Sequence, residues 1–172
     1  PNTSGSSPAG IVRIDPDTQD RVTIAELDAT PPRDFAFSRD YSALYFGTRD
    51  GGDVFKLPLD ANLDPSGPPE LLVTVPATWH DTVEVDACGN IYVGGLFGEQ
   101  YYRINPDLSV DVMINFTFEN WAHGFDWGDP TGGWDELSIY MAHPDIGNRV
   151  DEVYLGVPGA PWEGVVIGGV TI

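Results

Sequence analysis

The sequence repeats itself. Leu44-Tyr45-Phe46-Gly47, Ile91-Tyr92-Val93-Gly94 and Ile139-Tyr140-Met141-Ala142 recur at offsets of 47 and 48 residues, each an apolar–Tyr–apolar–small run. Self-similarity at a period of roughly 20–50 residues marks a stack of like units, none of which buries its apolar face alone. Each run follows a second short segment of strand character: Phe35-Ala36-Phe37, Val83-Glu84-Val85 and Phe125-Asp126-Trp127. The intervening turns are Ser38-Arg39-Asp40, Asp86-Ala87-Cys88-Gly89-Asn90 and a longer loop over 128–135, with the Gly, Asn and Asp that tight corners need.

A third strand follows each pair, at Val54-Phe55-Lys56-Leu57, Tyr101-Tyr102-Arg103-Ile104 and Val153-Tyr154-Leu155. A fourth follows twice, at 71–75 and 110–114. The N-terminus enters the series late. Val12-Arg13-Ile14-Asp15-Pro16-Asp17 matches Tyr102-Arg103-Ile104-Asn105-Pro106-Asp107 at four of six positions, so it reads as a third strand, with 21–27 as the fourth.

Four antiparallel strands in about 40–50 residues form the blade of a β-propeller. The competing architecture is a β-sandwich with accidental similarity. Twenty Gly, fifteen Pro and short Val-, Ile-, Tyr- and Phe-rich runs fit an all-β chain with many turns. The expected organisation is a flexible segment over 1–10 and a partial propeller over 11–172, with blade parts at 11–28, 33–75, 81–115 and 123–172. That is about 3.5 blades, and propellers close with roughly 4–8. The expected partners are therefore complementary blades, from a missing N-terminal segment or from a second chain.

The net charge of −19, from 27 acidic and 8 basic residues, makes nucleic acid and anionic membranes poor partners, and is compatible with a cation. No apolar run approaches the length of a membrane-crossing helix. Cys88 is the only cysteine, which excludes an intrachain disulfide and a cysteine zinc site. The acid excess fits a salty habitat or plain surface acidity, and an extracellular or periplasmic location is the expectation. Nucleophile-elbow, P-loop, zincin and dinucleotide motifs are absent.

In a propeller the first strand of each blade lines the central channel, so equivalent positions of successive blades converge. The residues just before these strands are Arg33 and Asp34, His80 and Asp81, and His123 and Gly124. A site at one channel mouth is expected from Arg33, Asp34, His80, Asp81 and His123, with Trp79 and Trp121 as walls for a small-molecule ligand. Each has a structural alternative: Asp81 as a turn cap, Arg33 in an ion pair with Asp34 or Asp81, His123 as a packed channel residue, the tryptophans as blade packing. His143 reads as a loop residue. Asp15 to Asp20 spaces carboxylates like a calcium loop, yet lacks its Gly and distal Glu, and reads as an acidic hairpin.

These segments resemble the SMP-30/gluconolactonase family of six-bladed propellers (regucalcin and related lactonases). Arg33-Asp34-Phe35-Ala36-Phe37-Ser38-Arg39-Asp40 with Leu44-Tyr45-Phe46 is similar to its N-G-L-A-x-S-x-D pattern and aromatic strand. His80-Asp81-Thr82-Val83-Glu84-Val85-Asp86-Ala87-Cys88-Gly89-Asn90-Ile91-Tyr92-Val93 is similar to P-D-G-x-x-x-D-x-x-G-x-[LI]-[WY]-V. The match runs over about 33–160 and corresponds to the family's C-terminal half.

The resemblance implies a divalent cation, calcium foremost, held by a Glu, an Asn and an Asp, with Asp81 as metal ligand and general base. Here Arg33 stands at the Asn, His80 at the Pro and Thr82 at the Gly, while the Glu would precede the chain. A guanidinium repels a cation. The expected function is a ligand- or metal-binding propeller without standard lactonase activity. The alternatives are a divalent-metal-dependent lactone hydrolase, or an extracellular structural or interaction domain.

Overall fold

A computed structural model of the 172-residue chain describes residues 9–27, 31–76, 79–95, 100–115, 123–143, 147–160, 166–167 and 170–171. It is all-β. The strands are β1 (Ala9–Ile14), β2 (Arg21–Leu27), β3 (Pro32–Phe37), β4 (Ala43–Thr48), β5 (Asp53–Pro58), β6 (Glu70–Thr74), β7 (His80–Val85), β8 (Ile91–Gly95), β9 (Gln100–Ile104), β10 (Val110–Asn115), β11 (Gly124–Trp127), β12 (Ser138–His143), β13 (Arg149–Tyr154), β14 (Val166–Ile167) and β15 (Val170–Thr171). The one helical piece among the described residues is a single 3₁₀ turn at Pro130–Gly132, capped by the Asp129 carboxylate. Among the described residues no helix is long and apolar enough to cross a membrane.

The strands form antiparallel meanders: β3-β4-β5-β6, β7-β8-β9-β10, β11-β12-β13, and the pairs β1-β2 and β14-β15. This is the blade series of a partial propeller. The strands of the repeat lie where the sequence places them, but several run longer, β3 starting at Pro32 and β7 at His80, so that Arg33, Asp34, His80 and Asp81 lie within inner strands. β1 begins at Ala9 rather than Ile11, because Ala9 and Gly10 pair with Leu27 and Glu26. The third strand of the last, three-stranded blade is β13, Arg149–Tyr154, and not 153–155, because it pairs along the whole of β12 from His143 to Ser138.

Each central sheet buries both faces, the reason its strands read as nearly continuous apolar runs. Leu44, Phe46 and Leu57 face Ile11 and Ala25 of the β1-β2 pair. Ala36 and Val54, on the opposite face, pack on Val83, Val85, Val93 and Ile104 of the next blade. That blade in turn sets Tyr92 and Tyr101 against Phe125, Ile139 and Met141. Side chains alternate across a strand, so one period-two sequence feeds two interfaces.

The glycine ending the first two repeat runs has a packing cause, whereas Ala142 at the end of the third is exposed. A methyl group on Gly47 would sit 2.5 Å from Cβ of His80, and one on Gly94 would enter the Tyr101 ring. The Asp86–Asn90 turn is tied by Asp86, whose carboxylate accepts from the backbone N–H of Cys88 and Asn90 and from the Tyr92 hydroxyl. Gly89 takes φ +84° there, a left-handed corner that favours glycine.

Candidate functional site

The inner strands are β3, β7 and β11. Adjacent ones are joined by side chains at the same place in successive blades. The Asp34 carboxylate accepts the Val83 N–H at 3.0 Å, and the Thr82 hydroxyl accepts the Phe125 N–H at 3.2 Å. These latches fix the spacing of whatever projects from the strand beginnings.

At those beginnings Arg33, Asp81 and His123 come together. The Arg33 guanidinium forms an ion pair with Asp81, its Nε donating to Oδ1 at 2.9 Å and its Nη2 to the same oxygen. The other Asp81 oxygen lies 3.7 Å from Nδ1 of His123. The Asp81 side chain is 7% exposed, that of Arg33 35% and that of His123 39%. The carboxylate is thus sealed behind two exposed nitrogen bases from neighbouring blades.

Trp79 completes this end. Its ring lies under two guanidinium groups, Arg33 at 5.3 Å and Arg49 at 4.3 Å from the ring centroid. Its backbone N–H donates to the Arg49 carbonyl, and its φ of +59° is a strained value for a bulky residue. Arg49 escaped the sequence reading. It lies in the β4–β5 turn, outside the repeat position that singled out the others, and its register with Trp79 is a tertiary fact.

Two expected residues behave otherwise. Asp34 points along the channel wall to Val83, and burial raises its pKa, the N–H donors of Val83 and Phe35 opposing and Asp81 and Asp126 reinforcing the shift. His80 lies inside β7 rather than before it. Its ring is fully buried against Gly47, so it packs blades together and does not line the mouth. Neither ring nitrogen has a hydrogen bond of normal geometry, and burial lowers its pKa to about 4, only partly offset by the carboxylate and backbone of Asp53. Trp121 lies outside the described residues. His143, expected in a loop, is the buried last residue of β12, with Nε2 3.3 Å from Asp151.

Asp15 caps its own turn by accepting from the N–H groups of Asp17 and Thr18, the acidic hairpin the sequence suggests. Further along the channel, Glu84 and Asp126 occupy one position of adjacent inner strands. Burial, with repulsion from Asp126 and Asp34, pushes the Glu84 pKa up to about 8.

A divalent cation fits this mouth poorly. The Asp81 carboxylate is already committed to Arg33, and among the described residues no three His, Cys, Asp or Glu side chains are placed to hold a metal ion.

No protein-family model and no curated protein sequence matches the chain. Solved structures do. Regucalcin from Agrobacterium tumefaciens, described as a calcium-binding protein, superposes with a TM-score of 0.67 at 16% identity, over 90% of this chain and 55% of that one. A gluconolactonase from Xanthomonas campestris gives 0.67 at 17%, over 92% and 47%. A luciferin-regenerating enzyme gives 0.63 at 17%, over 83% and 50%. The chain spans about half the length of these proteins, and at such identities the likeness speaks for architecture: this chain is a partial β-propeller with the fold of the regucalcin and gluconolactonase structures.

Proposed function

We propose that the protein is a small-molecule-binding propeller whose channel mouth takes an anionic, polyhydroxylated ligand, and that it lacks standard lactonase activity. The observation that carries this reading is the Arg33–Asp81 ion pair. Where a metal-dependent lactonase needs a free carboxylate beside neutral oxygen donors, this site offers a carboxylate already neutralised and a guanidinium facing outward. Arg33, Arg49 and His123 supply donors for a ligand carboxylate, and Trp79 supplies a flat apolar wall of the kind that stacks on a sugar ring. In a chain of net charge −19, two of seven arginines meeting on one tryptophan is a local reversal of sign.

The mouth residues bind and orient. Asp81 holds the Arg33 plane fixed, so less freedom is lost when a ligand docks. The fold neighbours include a calcium-binding protein and a gluconolactonase, so the test must separate these readings. Calorimetry with gluconate is expected to show saturable binding, weakened tenfold or more in Arg49→Ala, and calcium is expected to give no saturable heat. A panel of sugar lactones with calcium or zinc is expected to show no enzymatic turnover. A turnover number above about 1 s⁻¹, within the ordinary enzyme range, would restore the lactonase reading with Asp81 as metal ligand and base.

A further inference from the structure

The opposite end of the inner strands holds a cavity of about 660 Å³, within the size range of small-molecule sites. Phe37 and Tyr41 wall one side, Trp127 and Pro130 another, and Glu84 and Asp126 face into it. A strap of chain after β13 forms part of its wall. Ala160 donates to the Val85 carbonyl at 2.8 Å, Ala87 donates to the Pro158 carbonyl at 2.9 Å, and Trp127 Nε1 donates to the Val157 carbonyl at 2.9 Å. Gly159 lies flat on the Trp127 ring, where a methyl group would come within 2.9 Å. The aromatic walls are therefore held rigid before any ligand arrives. Phe37 and Tyr41 pack ring to ring at 5.4 Å, with Tyr41 in a left-handed conformation at φ +57°.

The polar groups of this cavity are one-sided. Glu84, Asp126, Asp129 and Glu136 line it, and among the described residues no Lys, Arg or His does. Arg39, in the adjoining turn, is tied to the Ala87 carbonyl at 2.7 Å. Asp126 and Asp129 accept backbone N–H groups of their own turns. Glu84 has no hydrogen bond or ion pair among the described residues, although most of its side chain is out of water. A largely buried carboxylate without a cationic partner, beside aromatic faces, is the arrangement that stabilises an organic cation. A bare metal ion suits it less, since the walls are largely apolar and, among the described residues, no three of the acidic groups are placed to hold one.

We propose that this cavity is a second binding site, separate from the channel mouth, for a small organic cation of the quaternary-ammonium class, with Glu84 and Asp126 as counter-charges and Phe37, Tyr41 and Trp127 as the aromatic enclosure. The high pKa of Glu84 adds a signature: a bound cation restores its ionised form, so binding at pH 7 releases a proton.

The test is calorimetry on the purified protein with choline and its uncharged carbon isostere, 3,3-dimethyl-1-butanol. Choline is expected to bind at least tenfold more tightly than the alcohol, and gluconate is expected not to displace it, which keeps this site distinct from the mouth. Enthalpies in phosphate and Tris buffers are expected to differ at pH 7 and to agree at pH 9. Glu84→Gln with Asp126→Asn is expected to weaken choline tenfold or more while circular dichroism stays unchanged; should that variant misfold, the buffer comparison on the unaltered protein decides. Equal affinity for the alcohol, no saturable choline binding, enthalpies independent of buffer at pH 7, or a folded double variant that binds choline normally would overturn the proposal.

Discussion

Arg33 and Asp81 are 48 residues apart in sequence and start adjacent inner strands, where Nε of one donates to Oδ1 of the other at 2.9 Å. The pair sits at the mouth side of the channel and ties two blades by charge as well as by packing. Arg33→Ala leaves a nearly buried carboxylate without its main partner. The pair is partly solvated on the arginine side, so the expected cost is about 1–3 kcal/mol rather than that of a fully buried pair. Urea unfolding of Arg33→Ala, Asp81→Asn and the double variant should show coupling of about 1 kcal/mol or more. Additive effects would mean that the pair is incidental.

The Asp34 latch is expected to matter through the N–H it satisfies. Asp34→Ala strands the Val83 N–H between blades and should cost about 1–3 kcal/mol. Asp34→Asn keeps an acceptor there and should cost clearly less. Thermal unfolding midpoints would rank the two, and equal losses would show that the carboxylate acts by charge alone.

Gly47→Ala tests the seat of His80. The added methyl meets Cβ and the ring of His80, neither able to withdraw from a filled interface, so destabilisation of about 1–3 kcal/mol is expected. His80→Ala in the same chain should recover part of that loss. A fully tolerated Gly47→Ala would contradict the close approach.

Stability should fall between about pH 6.5 and pH 8. Glu84 has a folded pKa of about 8 against an ordinary 4.5, so the folded state holds a proton that the unfolded state has lost, and stability declines as pH rises through that window. His80 works the other way, with about 4 against 6.5: the unfolded state takes up a proton as pH falls below 6.5 and the folded state does not. The two slopes oppose each other between 4.5 and 6.5, and above 6.5 Glu84 acts without that opposition. The decline expected up to pH 8 is about 2 kcal/mol. Urea midpoints across pH 5–9 should show it, and Glu84→Gln should flatten it.

Complementary blades are expected to be needed for a well-behaved particle. Val12, Ile14 and Val22 are about half exposed on the β1-β2 pair, and Val150 and Tyr154 more so on β13. Such surfaces invite pairing. Light scattering on the purified 172-residue chain should report a mass above 18.7 kDa, and co-expression with the roughly two and a half complementary blades of a six-bladed ring should suppress it. A stable monomer with cooperative unfolding would show the arc to be self-sufficient.

The strands were legible because two buried faces force an apolar run at every blade, and the turns because Asp86 and Gly89 do local work that neighbours in sequence reveal. The convergence of Arg33, Asp81 and His123 was legible for the same reason, since a repeat converts sequence position into spatial position. His80 misled because a polar residue beside a candidate site looks functional until its neighbour, Gly47, is known to leave it room. Arg49 and the 156–160 strap were invisible, as both act between segments with no repeat relation.

That strap sets an order of assembly. Val85–Ala87 belong to the middle blade, yet their last backbone partners, Pro158 and Ala160, lie more than seventy residues downstream. During synthesis the middle blade therefore waits with an open edge until residue 160 has emerged, and the loop it must then close is among the longest in the described fold. The final residues of the strap act as a late clasp on a blade made much earlier, so folding of the arc becomes cooperative only once residue 160 is available rather than blade by blade.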